Sequence, residues 1–253
     1  MSSFCAQGWA PMAQMAVPAR WQEGGWRALA SDGDSLLYVV KEGRGDIETW
    51  DDSSGKWAPI PSMGLDQGHK LVRAHCAVVG GKLYVVGTID KNGKLSWGAK
   101  VYDPSSRTWM DQTNMKYLLL GATEAVSVWD ELLVFGRFND GVQHGAQAFH
   151  PEDENWKTIP SLHVTQTNFA VAAVGERLFL VGGSRNRNIL NTVDVYDLRS
   201  DCRSSAVPSM STKRAYSAAV GWDDLLYVFG GGNQTDGCLR SAEVLDTNSW
   251  TWS

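Results

Sequence analysis

No stretch of this 253-residue chain approaches the roughly 20 consecutive apolar residues that a membrane-spanning helix needs. No run of Lys or Arg exceeds two residues. With a net charge of -5 and a pI near 5.5, the chain has no electrostatic footprint for nucleic acid. Cys-x-x-Cys is absent, so Cys5, Cys76, Cys202 and Cys238 form neither a zinc ribbon nor a thioredoxin-like motif. Cys76 falls in an apolar stretch and is expected to pack as a small hydrophobe, all four cysteines being reduced thiols. Met1 to Gly8 has neither the basic head nor the apolar core of a secretion signal, and the expectation is a soluble cytoplasmic or nuclear protein. His69, His75, His144 and His163 show no paired metal-ligand spacing, so no metal and no cofactor are expected.

What the chain does have is a repeat. Trp57-Ala58-Pro59-Ile60-Pro61-Ser62-Met63 is written earlier as Trp9-Ala10-Pro11-Met12-Ala13-Gln14-Met15. The equivalent marks at 9, 57, 109, 156, 203 and 252 are 48, 52, 47, 47 and 49 residues apart, with Arg203 standing where Trp is expected. Seven residues before the last five marks stand Trp50, Tyr102, Phe149, Tyr196 and Leu245. Five apolar runs keep the same phase: 36–40, 82–87, 131–136, 177–183 and 225–231, with the β-branched and aromatic composition of buried strands. A period near 50 with strand-only units predicts a propeller, because one four-stranded sheet cannot bury both faces alone. The periodic Trp residues are expected to fill the space between adjacent sheets, while Trp21, Trp26, Trp97, Trp129 and Trp222 fall off the period as exposed candidates.

Taken together, an apolar strand, Gly-Gly, an aromatic followed by Asp, and a Trp leading to Pro and Met resemble the kelch repeat, from Trp9 to the end. The resemblance implies an all-β propeller in one domain over 9–253, with 1–8 as a tail. The five units predict five four-stranded blades, closed by residues 9–15 pairing beside residues 240–246. The family more often has six or seven blades, so the other reading is a fragment of a longer propeller. Only the fourth and fifth units keep the Gly doublet, at Gly182-Gly183 and Gly230-Gly231; the loops of the first three are expected to follow another path.

Kelch relatives bind partners on the face formed by the loops between the second and third strands and between successive units. On this chain those loops are 41–46, 87–97, 136–145, 183–191 and 231–240, and 16–26, 64–72, 116–121, 163–168 and 211–216. Arg27, Arg73, Ala122 and Asn168 stand eleven residues before the strand residues Tyr38, Tyr84, Leu133 and Phe179, and Arg214 and Tyr216 stand thirteen and eleven before Tyr227. The family's peptide-binding members grip acidic peptides with Arg, Ser and Tyr at such positions, and a guanidinium fork suits carboxylates. Arg27, Arg73, His75, Asn168, Arg214 and Tyr216 are therefore the partner-binding candidates, against the reading that Arg73 pairs with Asp66 and Arg214 with Asp236. The catalytic sets of kelch copper radical oxidases and nitrile-specifier proteins find no match. A channel enzyme of the sialic-acid mutarotase kind is the alternative function. The expected role is a non-catalytic protein-binding module, similar to the kelch portion of plant F-box proteins and so to a ubiquitin-ligase substrate receptor, although the residues before Trp9 are too few for an F-box. Partner identity and oligomeric state are left open by the sequence.

Overall fold

The computed structural model describes residues 26–31, 36–41, 43–51, 54–112, 122–128, 130–137, 144–159, 162, 164–200, 202–204 and 207–253. Five antiparallel sheets follow one another along the chain. Sheet one is β1 (Trp26–Ser31), β2 (Leu36–Lys41), β3 (Ile47–Asp51) and β4 (Lys56–Pro59). Sheet two is β5 (His69–Val79), β6 (Lys82–Lys91), β7 (Lys94–Asp103) and β8 (Thr108–Gln112); sheet three is β9 (Ala122–Val128), β10 (Glu131–Arg137), β11 (His144–His150) and β12 (Asn155–Ile159). Sheet four has β13 (Ala170–Val174) and β14 (Arg177–Val181), the small hairpin β15 (Ser184–Arg185) with β16 (Asn188–Ile189), then β17 (Val193–Asp197) and β18 (Cys202–Ser204). Sheet five repeats this with β19 (Ala218–Trp222), β20 (Leu225–Phe229), the hairpin β21 (Gly232–Asn233) and β22 (Gly237–Cys238), β23 (Ala242–Asp246) and β24 (Thr251–Trp252). The arrangement is a five-blade β-propeller, each sheet a blade and the first strands of successive sheets lying next to one another.

Blades pack face to face, and the core lies between them. Tyr38 and Val40 of the first blade meet Leu83 and Val85 of the second. Val86 and Val101 of the second then meet Leu132 and Phe149 of the third, and Phe135 and Ala148 of the third meet Leu178 and Leu180 of the fourth. Most of these side chains are fully buried, and burial of each contributes about 1.5–3 kcal/mol. A blade covered on both sides explains why β14 is apolar at consecutive positions instead of alternating.

The recurrent motif now has a physical account. Trp109 Nε1 donates to the Pro61 carbonyl at 2.8 Å, and Trp252 Nε1 donates to that of Pro208 at 2.8 Å. Two residues beyond each Pro, Met63 and Met210 are buried between blades, as is Leu162 after Pro160. In these two units the Trp is thus tied to the Pro-Ser-Met of the unit before. Trp156 is buried between the second and third blades, while Trp57 is half-buried and tilted against Trp50, with ring centroids 5.5 Å apart. Cys76 packs in the core between the first two blades, and burial pushes its thiol well above the ordinary range.

The loops diverge as their glycines do. Gly182, Gly183, Gly230 and Gly231 all adopt positive φ, and a Cβ on Gly183 would come within 2.7 Å of the Thr167 carbonyl oxygen. In the second unit, which lacks the doublet, β6 runs straight through Gly87-Thr88 and turns at Asn92-Gly93, both at positive φ. Residues 9–15, expected beside 240–246, lie outside the described residues. At that edge Thr251–Trp252 pairs with β23, and Val244 and Ser253 exchange two backbone bonds of 2.9 Å.

Asp103, Asp197 and Asp246 open equivalent turns by accepting backbone N–H groups two and three residues on, at 2.8 to 3.4 Å. Bonds from Ser105, Ser200 and Ser249 respectively are the main reason each carboxyl sits below its usual value. A carboxyl depressed in the fold contributes stability above the ordinary carboxylate range and loses it as pH falls through the lowered values. The thermal midpoint is therefore expected to fall on acidification, and to fall less in the triple variant Asp103→Asn, Asp197→Asn, Asp246→Asn, whose amides keep the acceptor without titrating. Identical pH profiles for the two proteins would contradict this.

Candidate functional site

Five polar side chains sit at the same place on the third strand of each blade: Glu48, Lys100, Gln147, Asp194 and Glu243, facing Val39, Val85, Val134, Leu180 and Val228. All but Lys100 are buried. A buried polar group is stable only when bonded, and Glu48, Asp194 and Glu243 are bonded within the chain, although Glu48 Oε2 is left without a partner. Glu48 takes Lys41 Nζ at 2.8 Å, and Asp194 takes Gln166 Nε2 at 3.4 Å.

Glu243 does the most. Its Oε2 accepts Ser211 N–H at 2.6 Å, and its Oε1 accepts Thr212 N–H at 3.1 Å together with Arg214 Nε at 3.1 Å and Nη2 at 2.9 Å. Burial pushes the carboxyl up, but the bonds from Ser211, Arg214 and Thr212 outweigh it and hold it below the ordinary value. Arg214 is 0% exposed, and its remaining donors go to the Gly230 and Ser241 carbonyls and the Ser241 hydroxyl. The assignment of Arg214 to partner binding is therefore corrected. Its guanidinium is enclosed and fully engaged within the last blade, and its carboxylate is Glu243, not Asp236.

The other five candidates divide. Arg27 lies at a bulge in β1 between Trp26 and Ala28, and Arg73 pairs with Thr88 beyond a bulge in β5; their side chains lie outside the described residues. Asp66 is 3.5 Å from His69 Nδ1. His75 faces the neighbouring blade, its Nδ1 3.6 Å from Glu124 Oε2 on β9, both side chains half-buried. Asn168 and Tyr216 are brought together. Each has φ of +57°, and Tyr216 N–H donates to the Asn168 carbonyl at 2.9 Å, leaving the Tyr216 ring 74% exposed. A bulky residue at positive φ is uncommon, and this backbone bond holds it there.

Between the β15–β16 hairpin, the β21–β22 hairpin and the 211–213 connection lies a cleft of about 380 Å³. All three segments belong to the loop set predicted for binding. Asn188, Ser211, Thr212, Gln234 and Thr235 line it with amides and hydroxyls, Lys213 supplies a cation, and Ile189 is its apolar wall. Its geometry is fixed by side chains that bridge the segments. Gln234 Nε2 donates to the Arg187 carbonyl at 3.2 Å, tying one hairpin to the other, and Asn233 Nδ2 donates to the Lys213 carbonyl at 3.2 Å and to Asp236 Oδ2 at 2.9 Å. Among the described residues no three His, Cys, Asp or Glu side chains gather as a metal site would require.

Comparison with known proteins shows what this architecture resembles. The Kelch motif family model matches residues 167–210 and 213–253, the two units that keep the Gly doublet. Its last two units are kelch motifs, and the chain is similar to kelch-repeat proteins. Kelch-like protein terF of Aspergillus terreus is 24% identical over 203 residues, covering 73% of this chain and 43% of that protein. Kelch-like protein 21 of Homo sapiens is 37% identical over 76 residues, 30% of this chain and 12% of that one. Acyl-CoA-binding domain-containing protein 4 of Arabidopsis thaliana is 28% identical over 198 residues, 70% of this chain and 29% of that one. The chain thus spans less than half the length of each of these relatives.

Two features of the site escaped the sequence reading. The buried polar position lies nine residues before each repeat mark, so the same period that exposed the Trp residues would have found it. The cleft residues Asn188, Thr212 and Gln234 carry no periodic signal, because loops vary while strands repeat.

Proposed function

We propose that this kelch chain is a protein-binding module that takes an extended segment of another protein into the cleft between its last two blades. The observation that carries this is the cleft's lining, amides and hydroxyls held in place by the Gln234 and Asn233 bridges. Such groups exchange hydrogen bonds with a peptide backbone and polar side chains, and a site of this size and polarity selects by bonding pattern. Lys213 offers one attachment for a carboxylate of the segment, and Asp236, also in the lining, disfavours a run of them. Exposed Tyr216 lies in the same connection as Lys213 and offers a further contact beside the cleft. Kelch-like relatives support the interaction role. Service as the substrate-recognition part of a ubiquitin ligase is the finer reading, with the bound segment belonging to the protein to be modified.

The test is affinity capture with the intact chain and with a Lys213→Glu, Gln234→Ala variant, followed by titration of the recovered partner. At least a tenfold loss of affinity is expected, corresponding to about 1.4 kcal/mol. Equal affinity of both proteins for that partner would remove the cleft from the interface.

A further inference from the structure

One residue on the cleft side of the β15–β16 hairpin keeps its backbone groups unspent. The hairpin turns through Asn186 and Arg187, both at positive φ (50° and 66°), the two-residue turn whose flanking pair, Arg185 and Asn188, is hydrogen-bonded. Antiparallel pairs alternate, so in the next pair, Ser184 and Ile189, each residue turns its N–H and C=O away from the other strand. Ser184 bears this out on its side: it donates to the Thr167 carbonyl at 2.7 Å and accepts the Thr167 N–H at 2.9 Å. Ile189 therefore turns its own pair to the opposite edge, the one beside the fifth blade. The carbonyls two residues before and after it are taken from that side. Arg187 accepts Gln234 Nε2 at 3.2 Å, and Asn191 accepts the Met210 N–H at 2.9 Å. Between these two bonds the Ile189 N–H and carbonyl have no protein partner among the described residues, and Ile189 lines the cleft.

We propose that the partner segment binds by strand addition, docking antiparallel on β16 at Ile189, an inference that rests on the peptide-binding reading of the cleft. One residue of the segment gives its N–H to the Ile189 carbonyl and accepts the Ile189 N–H on its own carbonyl. The chain already makes this contact with itself twice: Thr167 pairs so with Ser184 on the other edge of the hairpin, and Ala215 pairs so with Gly232 in the fifth blade, at 2.8 and 3.0 Å. The chemistry selects the occupant. A donor and an acceptor on one edge residue match an extended polypeptide, whose main chain supplies both. The lining holds Lys213 as its cation and no aromatic ring, so a phosphate backbone finds too little charge and a base finds nothing to stack on. Strand alternation turns the backbone of the segment's flanking residues toward the opposite wall, where Ser211, Thr212, Gln234 and Thr235 carry side-chain donors and acceptors. Gln234 thus has two tasks, closing one end of the slot on Arg187 and lining it. Proline is excluded from the docked position of the segment, because it has no N–H to give.

A random octapeptide library displayed on phage and selected on the intact chain supplies the probes. An enriched peptide is expected to slow exchange of the Ile189 amide at least tenfold by NMR, while Leu190, whose N–H is already bonded to the Gly183 carbonyl at 2.9 Å, changes little. Methylating the peptide's backbone nitrogens one at a time is expected to lower affinity at least tenfold at the residue opposite Ile189. Ile189→Pro, which deletes the N–H at an edge position that tolerates proline, is expected to do the same. The methylation series leaves the protein unaltered, so it decides the matter if the proline variant does not fold. Peptides that are weakened by Lys213→Glu, Gln234→Ala, yet leave Ile189 exchange unchanged and tolerate methylation at every nitrogen, overturn strand addition and leave the peptide-binding reading standing. Failure to enrich any peptide sensitive to that cleft variant overturns both.

Discussion

Arg214→Ala is expected to lower folding stability by about 3–5 kcal/mol, because it leaves the Glu243 carboxylate buried without its cation. Coulomb attraction alone would not predict so much, since desolvation of two buried ions cancels much of it. The loss arises from the asymmetry between a pair and half a pair. With Arg214 gone, Glu243 keeps only the Ser211 and Thr212 N–H groups, and the Gly230 and Ser241 carbonyls lose their donor. Glu243→Gln retains an acceptor and is expected to be milder. In the double variant Arg214→Met, Glu243→Met neither ion remains, so its stability should lie above that of Arg214→Ala and below wild type by the cost of the stranded Ser211 and Thr212 donors. Urea unfolding of the four proteins measures this order. A cost below about 1 kcal/mol for Arg214→Ala would mean that water replaces the guanidinium, contrary to its complete burial. Because the 211–213 connection lines the cleft, binding there should weaken along with stability.

The Arg214 result also shows why the fold was more legible than the site. Trp109, Trp252, Pro61 and Pro208 recur because packing between blades needs the same shape at each junction, and a repeated need leaves a repeated letter. The apolar runs at 82–87 and 131–136 therefore fall on second strands, although β6 continues to Lys91. The Asp103 and Asp246 turns were likewise readable from a carboxylate followed by Ser two or three residues later. Arg214 misled because counting residues back from a strand gives position along the chain and says nothing about side-chain direction. Its partner Glu243 lies 29 residues away on the third strand, a distance fixed by sheet register and invisible to local pattern. Asn168 and Tyr216, one period apart at 48 residues, do meet, but through a backbone bond that any residue pair could make.

Gly221→Ala is expected to be the most damaging glycine-to-alanine change among the described residues. Gly221 lies in the middle of β19, with ordinary strand dihedrals, so conformational freedom is not the reason for glycine there. The reason is approach: a Cβ at this position would overlap the Ala173 carbonyl oxygen of the fourth blade and press on the Val174 side chain. Backbone cannot rotate aside as a flexible side chain would, so the innermost strands of the two blades must separate. That separation would also loosen Leu226 and Val228 from Phe179 and Val181, which are buried only while the blades are close. Overpacking of this kind costs about 1–3 kcal/mol, and more where the obstruction is backbone. The expected result is a loss of about 3 kcal/mol or more in urea unfolding, with the fifth blade opening first. Hydrogen exchange should show this as lost protection at 218–229 and 242–246 while 83–86 and 132–135 keep theirs. Gly175→Ala, at a turn where a Cβ meets nothing within 4 Å but φ is +58°, serves as the comparison and should cost only about 1 kcal/mol of backbone strain. Equal effects of the two substitutions would show that strain at glycine, not the closeness of the fourth and fifth blades, sets the penalty.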